Sequence, residues 1–375
     1  MRIAVNTRLL LPGKLEGIGW FAHETLSRIT RDHSEHEFHF LFDRSFDEQF
    51  IYARNIKPHV VPPPTRHPLL YRFWFGVQIP RMLRKLKADV FLSPDGFLSL
   101  GTSIPQLPVI HDLNFEAFPE DLPRAYRNYY RHYFPRFAKK ASRIVTVSEF
   151  SAADIATRYG VPRERIDVVH NGVSEVFRPS TEDEKRAARE RYAQGAPYFI
   201  CVGSLHPRKN IARLLLAFDR LATTEREVRL VIVGESFWWD ARMKEAWEQV
   251  SAKDRVLFTG RLAQRELRDA LGGATALAYV SYYEGFGIPV AEAMRCAVPV
   301  VAARATSLPE VAGDAAVYCD PFDIADMAAS LERVLNDSAL CEQLGREGTR
   351  RSARYTWDRT AEGLWNNLEK LLSSP

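Results

Sequence analysis

The chain has 375 residues, 46% hydrophobic and 26% charged, the balance of a soluble globular protein with room for two ordinary domains, each burying its own core. No apolar run approaches the ~20 residues of a membrane-spanning helix, and Met1 leads straight into a strand-like segment, so a helical membrane protein is excluded and a cytoplasmic chain without a signal peptide is expected. Cys201, Cys296, Cys319 and Cys341 are scattered and form no CxxC, which argues against a disulfide framework or a thiolate metal site.

Taken in chain order, short apolar runs alternate with longer amphipathic ones. Strands are predicted at Ile3–Val5, Phe38–Phe42, Val90–Leu92, Pro108–Ile110 and Arg143–Val147, then at Tyr198–Val202, Arg229–Val233, Arg255–Phe258, Ala274–Val280 and Pro299–Ala302. Helices are predicted between them at Trp20–Thr30, Ser148–Tyr159, Ile211–Leu221, Ala241–Val250 and Gln264–Leu271. This alternation indicates α/β architecture with parallel sheets covered on both faces. A boundary is expected between Phe177 and Pro197, where Pro179-Ser180, the charged run TEDEKRAARERYAQ and Gly195-Ala196-Pro197 follow one another. That places one domain over residues 1–178 and a second over 196–356, followed by a last helix, Trp357–Leu372, with apolar Leu364, Leu368 and Leu371.

Charge is uneven. Through Val176 there are 24 Lys/Arg against 19 Asp/Glu, while the remainder carries 27 against 28. The excess sits in Tyr71–Lys87 and Leu122–Arg143, where cations interleave with aromatics. Such stretches suit an anionic membrane or lipid-phosphate acceptor, with Trp74 and Tyr129 as interfacial anchors. They equally suit a solvated helix face whose aromatics lie in the core.

Four segments carry chemistry. In LPGKLEGIGWFAHETL a glycine loop, Gly17-Ile18-Gly19, runs into a helix, and its amides can face phosphate. It also spells GxGxxA, a weak dinucleotide fingerprint in which Asp43 would be the ribose acid, although several residues separate Gly17 from the preceding strand end. His111-Asp112 follow the strand PVI, at the carboxyl end where open sheets bind ligands. In VGSLHPRKN, Arg208 and Lys209 fall at another strand's carboxyl end, and Asn210 is placed to cap the next helix. In EGFGIPVAE, Glu284 lies in the loop after a buried strand. Gly285-Phe286-Gly287-Ile288 follow, a helix opens at Pro289, and Glu292 sits about one turn inside it. A helix N-terminus between two carboxylates can take a phosphate while the carboxylates accept sugar hydroxyls. His33, His36 and His39 read as surface residues. No Asp-x-Asp and no Cys/His cluster with ligand spacing occurs, so no metal is expected.

The stretch EGFGIPVAE resembles the acidic signature of the retaining glycosyltransferases of family 4, which have the GT-B fold, and VGSLHPRKN and the stretch 146–173 are similar to that family too. The resemblance implies two Rossmann-like domains with parallel sheets facing across a cleft, the last helix (357–375) packing back on the first domain. It implies a nucleotide diphosphate-sugar donor, GDP-mannose favoured, and a glycan, lipid-linked or small-molecule acceptor, with no metal required. Glu292 would hold the ribose, Glu284 the sugar hydroxyls, and Arg208 and Lys209 the departing diphosphate. His111 would touch the transferred sugar, and Gly17, Ile18, Gly19, Ser204, Gly285, Phe286, Gly287 and Ile288 would line the donor. Ser148, Asn171 and Gly172 are candidates for lining the cleft. Ser204 departs from the arginine that many members carry after the glycine. Peripheral contact with the inner face of a membrane is expected, and nucleic acid is not. Three other readings stay open: a UDP-sugar transferase of the same fold, a sugar-nucleotide epimerase or non-catalytic binding protein, and an NAD-dependent oxidoreductase using Gly17 and Gly19.

Overall fold

The computed structural model describes residues 1–235 and 239–373. The chain divides into two compact units. One comprises Met1–Gly172 together with Thr356–Pro375, the other Val173–Tyr355. Both are α/β.

The first unit is built on five parallel strands, β1 (Arg2–Asn6), β2 (Glu37–Phe42), β3 (Ile56–Val60), β4 (Val90–Ser93) and β5 (Gln106–Pro108), in the order β3-β2-β1-β4-β5. β1 and β4 are buried almost throughout, as the near-continuous apolar runs of a doubly covered parallel sheet require. A short parallel pair, β6 (Ile144–Thr146) and β7 (Ile166–Val168), extends it through a bridge between Val109 and Val145. β5 thus pairs earlier than predicted, because Val109 and Ile110 turn toward β6 instead of continuing the main sheet. The closing helix Trp357–Ser373 belongs to this unit. Its Leu364, Trp365 and Leu368 are buried, and Trp365 stacks on His33 with ring centroids 3.6 Å apart.

The second unit carries six parallel strands, β8 (Tyr198–Val202), β9 (Arg229–Val233), β10 (Val256–Gly260), β11 (Ala276–Tyr279), β12 (Val300–Ala303) and β13 (Val317–Cys319), in the order β10-β9-β8-β11-β12-β13. Strand order reverses between β8 and β11, the point at which an open α/β sheet leaves a crevice at its carboxyl edge. The charged run of the expected boundary folds as the helix Glu182–Ala193, opened by a capping box at Thr181 and Glu184.

Two readings are corrected here. The stretch Tyr71–Lys87 forms helix Pro68–Phe73, a π-helical turn at Trp74–Gln78 and helix Ile79–Leu86, while the second basic stretch forms helix Arg124–Lys140. Trp74 is fully buried and donates its indole N–H to the Val61 carbonyl at 2.6 Å. Tyr129 is likewise buried, so neither ring is an interfacial anchor, and the aromatic face is core. His39 is also no surface residue. It is buried in β2, its Nδ1 2.9 Å from His59 Nε2.

Candidate functional site

In the second unit, β8 ends at Val202 and the chain turns through Gly203, exposed Ser204 and a 3₁₀ turn, Pro207–Lys209, into helix Ile211–Ala222. The turn needs two glycines. A Cβ on Gly234, after neighbouring β9, would lie 1.9 Å from the Gly203 carbonyl oxygen, and one on Gly203 would lie 3.0 Å from Lys209 Cε. The bare backbone therefore leaves room for the Lys209 side chain to fold back under β8. Asn210 does not cap the following helix with its side chain, contrary to expectation. It adopts left-handed backbone (φ 62°), and its Nδ2 donates to the carbonyls of Val280 and Pro321 at 3.1 and 2.6 Å. It thereby ties the Arg208-Lys209 turn to the ends of β11 and β13.

This tie places Lys209 and Arg208 against Glu284, seventy-five residues later. Lys209 Nζ donates to Glu284 Oε1 and to the Tyr279 hydroxyl, both at 2.6 Å. Tyr279 in turn donates to Glu284 Oε1 at 3.0 Å, and Arg208 Nη1 lies 2.6 Å from Glu284 Oε2. Lys209 and Glu284 are buried. Burial alone would raise the Glu284 pKa, but the charges of Arg208 and Lys209 pull it down to about 2. Burial lowers the pKa of Lys209 despite its partner. Two cations share one carboxylate, which leaves a net charge of +1 at the carboxyl ends of β8 and β11, an environment suited to a bound anion. Tyr279, the last residue of β11, was not foreseen. Its signal is its position, five residues before Glu284 at a strand end.

The loop after β11 is held by the loop that follows neighbouring β12. Thr306 Oγ1 accepts from the Glu284 amide at 3.1 Å, and Ser307 Oγ donates to the carbonyls of Glu284 and Phe286 at 2.9 and 3.1 Å. Gly287, at φ 95°, is the N-cap of helix Ile288–Arg295, which begins one residue before the expected Pro289. A Cβ on Gly287 would meet Leu308 Cδ2 at 2.7 Å, so the sharp turn and the close packing both require glycine. Glu292 lies one turn into this helix and is half-buried. Burial with no compensating cation pushes its pKa up to about 8, a carboxyl that gains from any hydroxyl brought against it.

In the first unit, Gly17, Ile18 and Gly19 are the first turn of helix Gly17–Asp32 and not a loop before it. The first intrahelical bond runs from the Trp20 amide to the Glu16 carbonyl at 2.8 Å. Amides of a first helical turn have no intrahelical acceptor and suit an anion. A Cβ on Gly19 would lie 3.1 Å from the Leu9 carbonyl oxygen, a tight fit for any larger residue. Asp43 is fully buried, accepts from the Thr65 amide and hydroxyl at 2.5 and 2.6 Å and pairs with Arg44. No part of its side chain is exposed, so the dinucleotide reading loses its ribose acid. His111 Nε2–H donates to the Pro94 carbonyl at 2.8 Å, and its ring meets Phe21 edge-on at 4.9 Å. Burial lowers its pKa, and with Nε2–H donating to that carbonyl the neutral imidazole has Nδ1 as its acceptor nitrogen. Ser148 caps helix Glu149–Tyr159 by accepting from the Ser151 amide. Gly172 packs so tightly that a Cβ would lie 2.3 Å from the Trp357 nitrogen.

Among the described residues, no group of three His, Cys, Asp or Glu is placed to hold a metal, and no helix is long and apolar enough to cross a membrane.

Comparison with known proteins bears on both units. A family model described as Glycosyltransferase Family 4 matches residues 15–177, and one described as Glycosyl transferases group 1 matches residues 182–351. The chain is 28% identical to O-antigen chain mannosyltransferase B of Escherichia coli over 92% of this chain and 93% of that one. It is 32% identical to the MMP alpha-(1->4)-mannosyltransferase of Mycolicibacterium hassiacum over 64% of this chain and 56% of that one. Among solved structures it is similar to Anabaena HepE in complex with UDP-glucose, with TM-score 0.78, 16% identity and coverage of 99% and 100%. It is similar also to the sucrose-phosphate synthase of Thermosynechococcus elongatus, with TM-score 0.79, 18% identity and full coverage of both chains.

Proposed function

Because this chain belongs to the family 4 glycosyltransferases and has the GT-B fold, we propose that it transfers a mannosyl residue from GDP-mannose to a growing glycan with retention of configuration. The observation that carries the proposal is the Arg208–Lys209–Glu284 triad at the strand-order reversal of the second unit. The names of relatives such as O-antigen chain mannosyltransferase B support mannose as the sugar.

In this reading Arg208 and Lys209 bind the diphosphate and stabilise charge as it develops on the leaving oxygen. Glu284 accepts hydrogen bonds from the sugar and Glu292 from the ribose. The amides of the turn before Ile288 supply further donors to phosphate. The bond from the sugar's anomeric carbon to the β-phosphate oxygen breaks, giving an oxocarbenium-like centre. The acceptor hydroxyl attacks that carbon from the same face, and its proton passes to the departing phosphate oxygen. In the first unit, neutral His111 offers Nδ1 as an acceptor to a sugar hydroxyl. No metal is needed in this scheme, and activity survives a chelator.

A lipid-linked acceptor gives the first unit a membrane-facing role, with the protein at the inner leaflet. The residues available for it are Leu69 and Phe73, which are exposed (68% and 43%) one turn apart on helix Pro68–Phe73, with exposed Arg66 and Arg72 beside them.

The deciding experiment is a panel of nucleotide sugars tested for thermal stabilisation, followed by NMR of the product's anomeric configuration. GDP-mannose at 100 times its dissociation constant adds about 2.7 kcal/mol. An inverted product refutes retention. Stabilisation by UDP-sugars alone favours the second reading, a UDP-sugar transferase, for which the likeness to HepE bound to UDP-glucose speaks.

A further inference from the structure

Strand order in the first unit also reverses, between β1 and β4. The polar groups at that reversal form a buried network with no part in the scheme above. Asp95 follows β4 in the turn Ser93–Gly96, closed by a bond from the Gly96 amide to the Ser93 carbonyl at 3.3 Å. Its Oδ2 accepts from Arg8 Nε at 2.6 Å. Its Oδ1 accepts from Asn6 Nδ2 at 2.7 Å, Ser93 Oγ at 3.0 Å and the Phe97 amide at 3.3 Å. Arg8 is buried, and its guanidinium carbon lies 4.4, 5.0 and 5.9 Å from the ring centroids of Phe97, Tyr71 and Phe75. Its guanidinium is engaged with Asp95 and these three rings. Its charge is balanced by Asp95 alone among the acids hydrogen-bonded to it, so the pair is strongly held in one geometry.

What this geometry fixes is the peptide next to Asp95. The Pro94 carbonyl, one residue before, is the acceptor for His111 Nε2–H. Arg8, at the other end, sits just after β1 on the segment leading to helix Gly17–Asp32, and the Leu9 carbonyl packs against Gly19 in the first turn of that helix. One ion pair therefore links the segment that sets the helix N-terminus to the carbonyl that sets the tautomer of His111.

We propose that Arg8 and Asp95 are positioning residues that hold the Pro94 carbonyl, and through it the Nε2–H tautomer and orientation of His111, in register with the N-terminus of helix Gly17–Asp32. The proposal rests on the sugar-side role of His111 given above. Neither residue touches substrate, and their effect is on turnover rather than donor binding.

The test uses the full chain with ¹⁵N-labelled histidine. In the unsubstituted protein His111 shows a single neutral tautomer protonated at Nε2. In Asp95→Asn its nitrogen signals move to the average of two tautomers, and kcat falls by ~10–100-fold, the scale of a misplaced reacting group, while the donor KM changes less than about 2-fold. Arg8→Lys, which keeps the charge, restores most of the turnover that Arg8→Met loses. If Asp95→Asn loses its near-UV circular dichroism, the Arg8 variants carry the same comparison. Unchanged His111 signals in a folded Asp95→Asn or Arg8→Met protein overturn the coupling, as does a loss confined to KM. His111→Ala with full turnover would instead overturn the sugar-side reading on which the proposal rests.

Discussion

Replacing Glu284 with Gln removes the carboxylate that two cations share, and the structure sets the size of the effect. The fall in its pKa from an ordinary 4.5 to about 2 corresponds to roughly 3 kcal/mol at about 1.36 kcal/mol per unit. That agrees with the ~3–5 kcal/mol typical when a buried pair loses one partner. For a domain of this size it lowers the melting temperature by about 6–12 °C. The assay is calorimetry on the single variant, on Lys209→Met and on the double variant. The double variant should be less destabilised than the two single effects added, with a coupling of ~1–3 kcal/mol. The sign with pH is also set. A carboxylate whose folded pKa is depressed contributes fully above its ordinary value, and that contribution is lost as pH falls toward the folded value. The deficit of Glu284→Gln is therefore constant from pH 5 to 8 and shrinks below about 4.5. An additive cycle, or a deficit that grows on acidification, refutes the argument.

Glu292 titrates in the opposite sense. Its folded pKa of about 8 lies above the ordinary value, so the carboxyl disfavours folding increasingly from about pH 4.5 to 8. Glu292→Gln should therefore raise the melting temperature at pH 8.5 but not at pH 4.5, and equal melting at both would contradict its desolvation. Lys209→Ala should cut turnover ~100-fold or more by removing charge at the leaving group, and near-normal turnover in steady-state assays would dismiss it as a catalytic residue. Co-sedimentation with anionic vesicles at low salt should be weakened by Leu69→Asp with Phe73→Asp and by high salt. Equal sedimentation of that double variant with vesicles would rule out this face.

The alternation of β8, β9, β11 and β12 with helices is legible because each strand is an apolar run, broken only by Arg229 at the start of β9, and burial of that run is what its composition requires. β3 and β13 are not legible. β3 carries Lys57, Pro58 and His59 at a sheet edge, where one side needs no hydrogen-bonded neighbour and the apolar pattern lapses. The fates of Arg208, Lys209 and Glu284 were hidden for a different reason. Spacing places each at a strand end, but only the adjacency of β8 and β11 brings them into one ion cluster, and adjacency is a property of strand order. Asn210 misled because an Asn before a helix is a good side-chain cap. Here its amide has two carbonyls to satisfy on other strands, and that outweighs capping. Trp74 and Tyr129 show the limit of composition, since a helix carrying both cations and aromatics does not say which face is turned inward.

The helix Trp357–Ser373 has a consequence for synthesis on the ribosome. It is made after the whole second unit, yet its buried Leu364, Trp365 and Leu368 belong to the unit whose strands are made first. The second unit is continuous in sequence, so it emerges whole while the first still lacks a wall. At ~5–20 residues per second, the segment from Val173 to Tyr355 takes on the order of 10–40 s to translate. For that interval the first unit waits as an incomplete fold with apolar surface uncovered at the side the helix will occupy. The usual order, in which the amino-terminal domain matures first, is reversed. A stop codon just before Trp357 would therefore leave a sound carboxyl-terminal half attached to an amino-terminal half that chaperones and proteases would treat as unfinished.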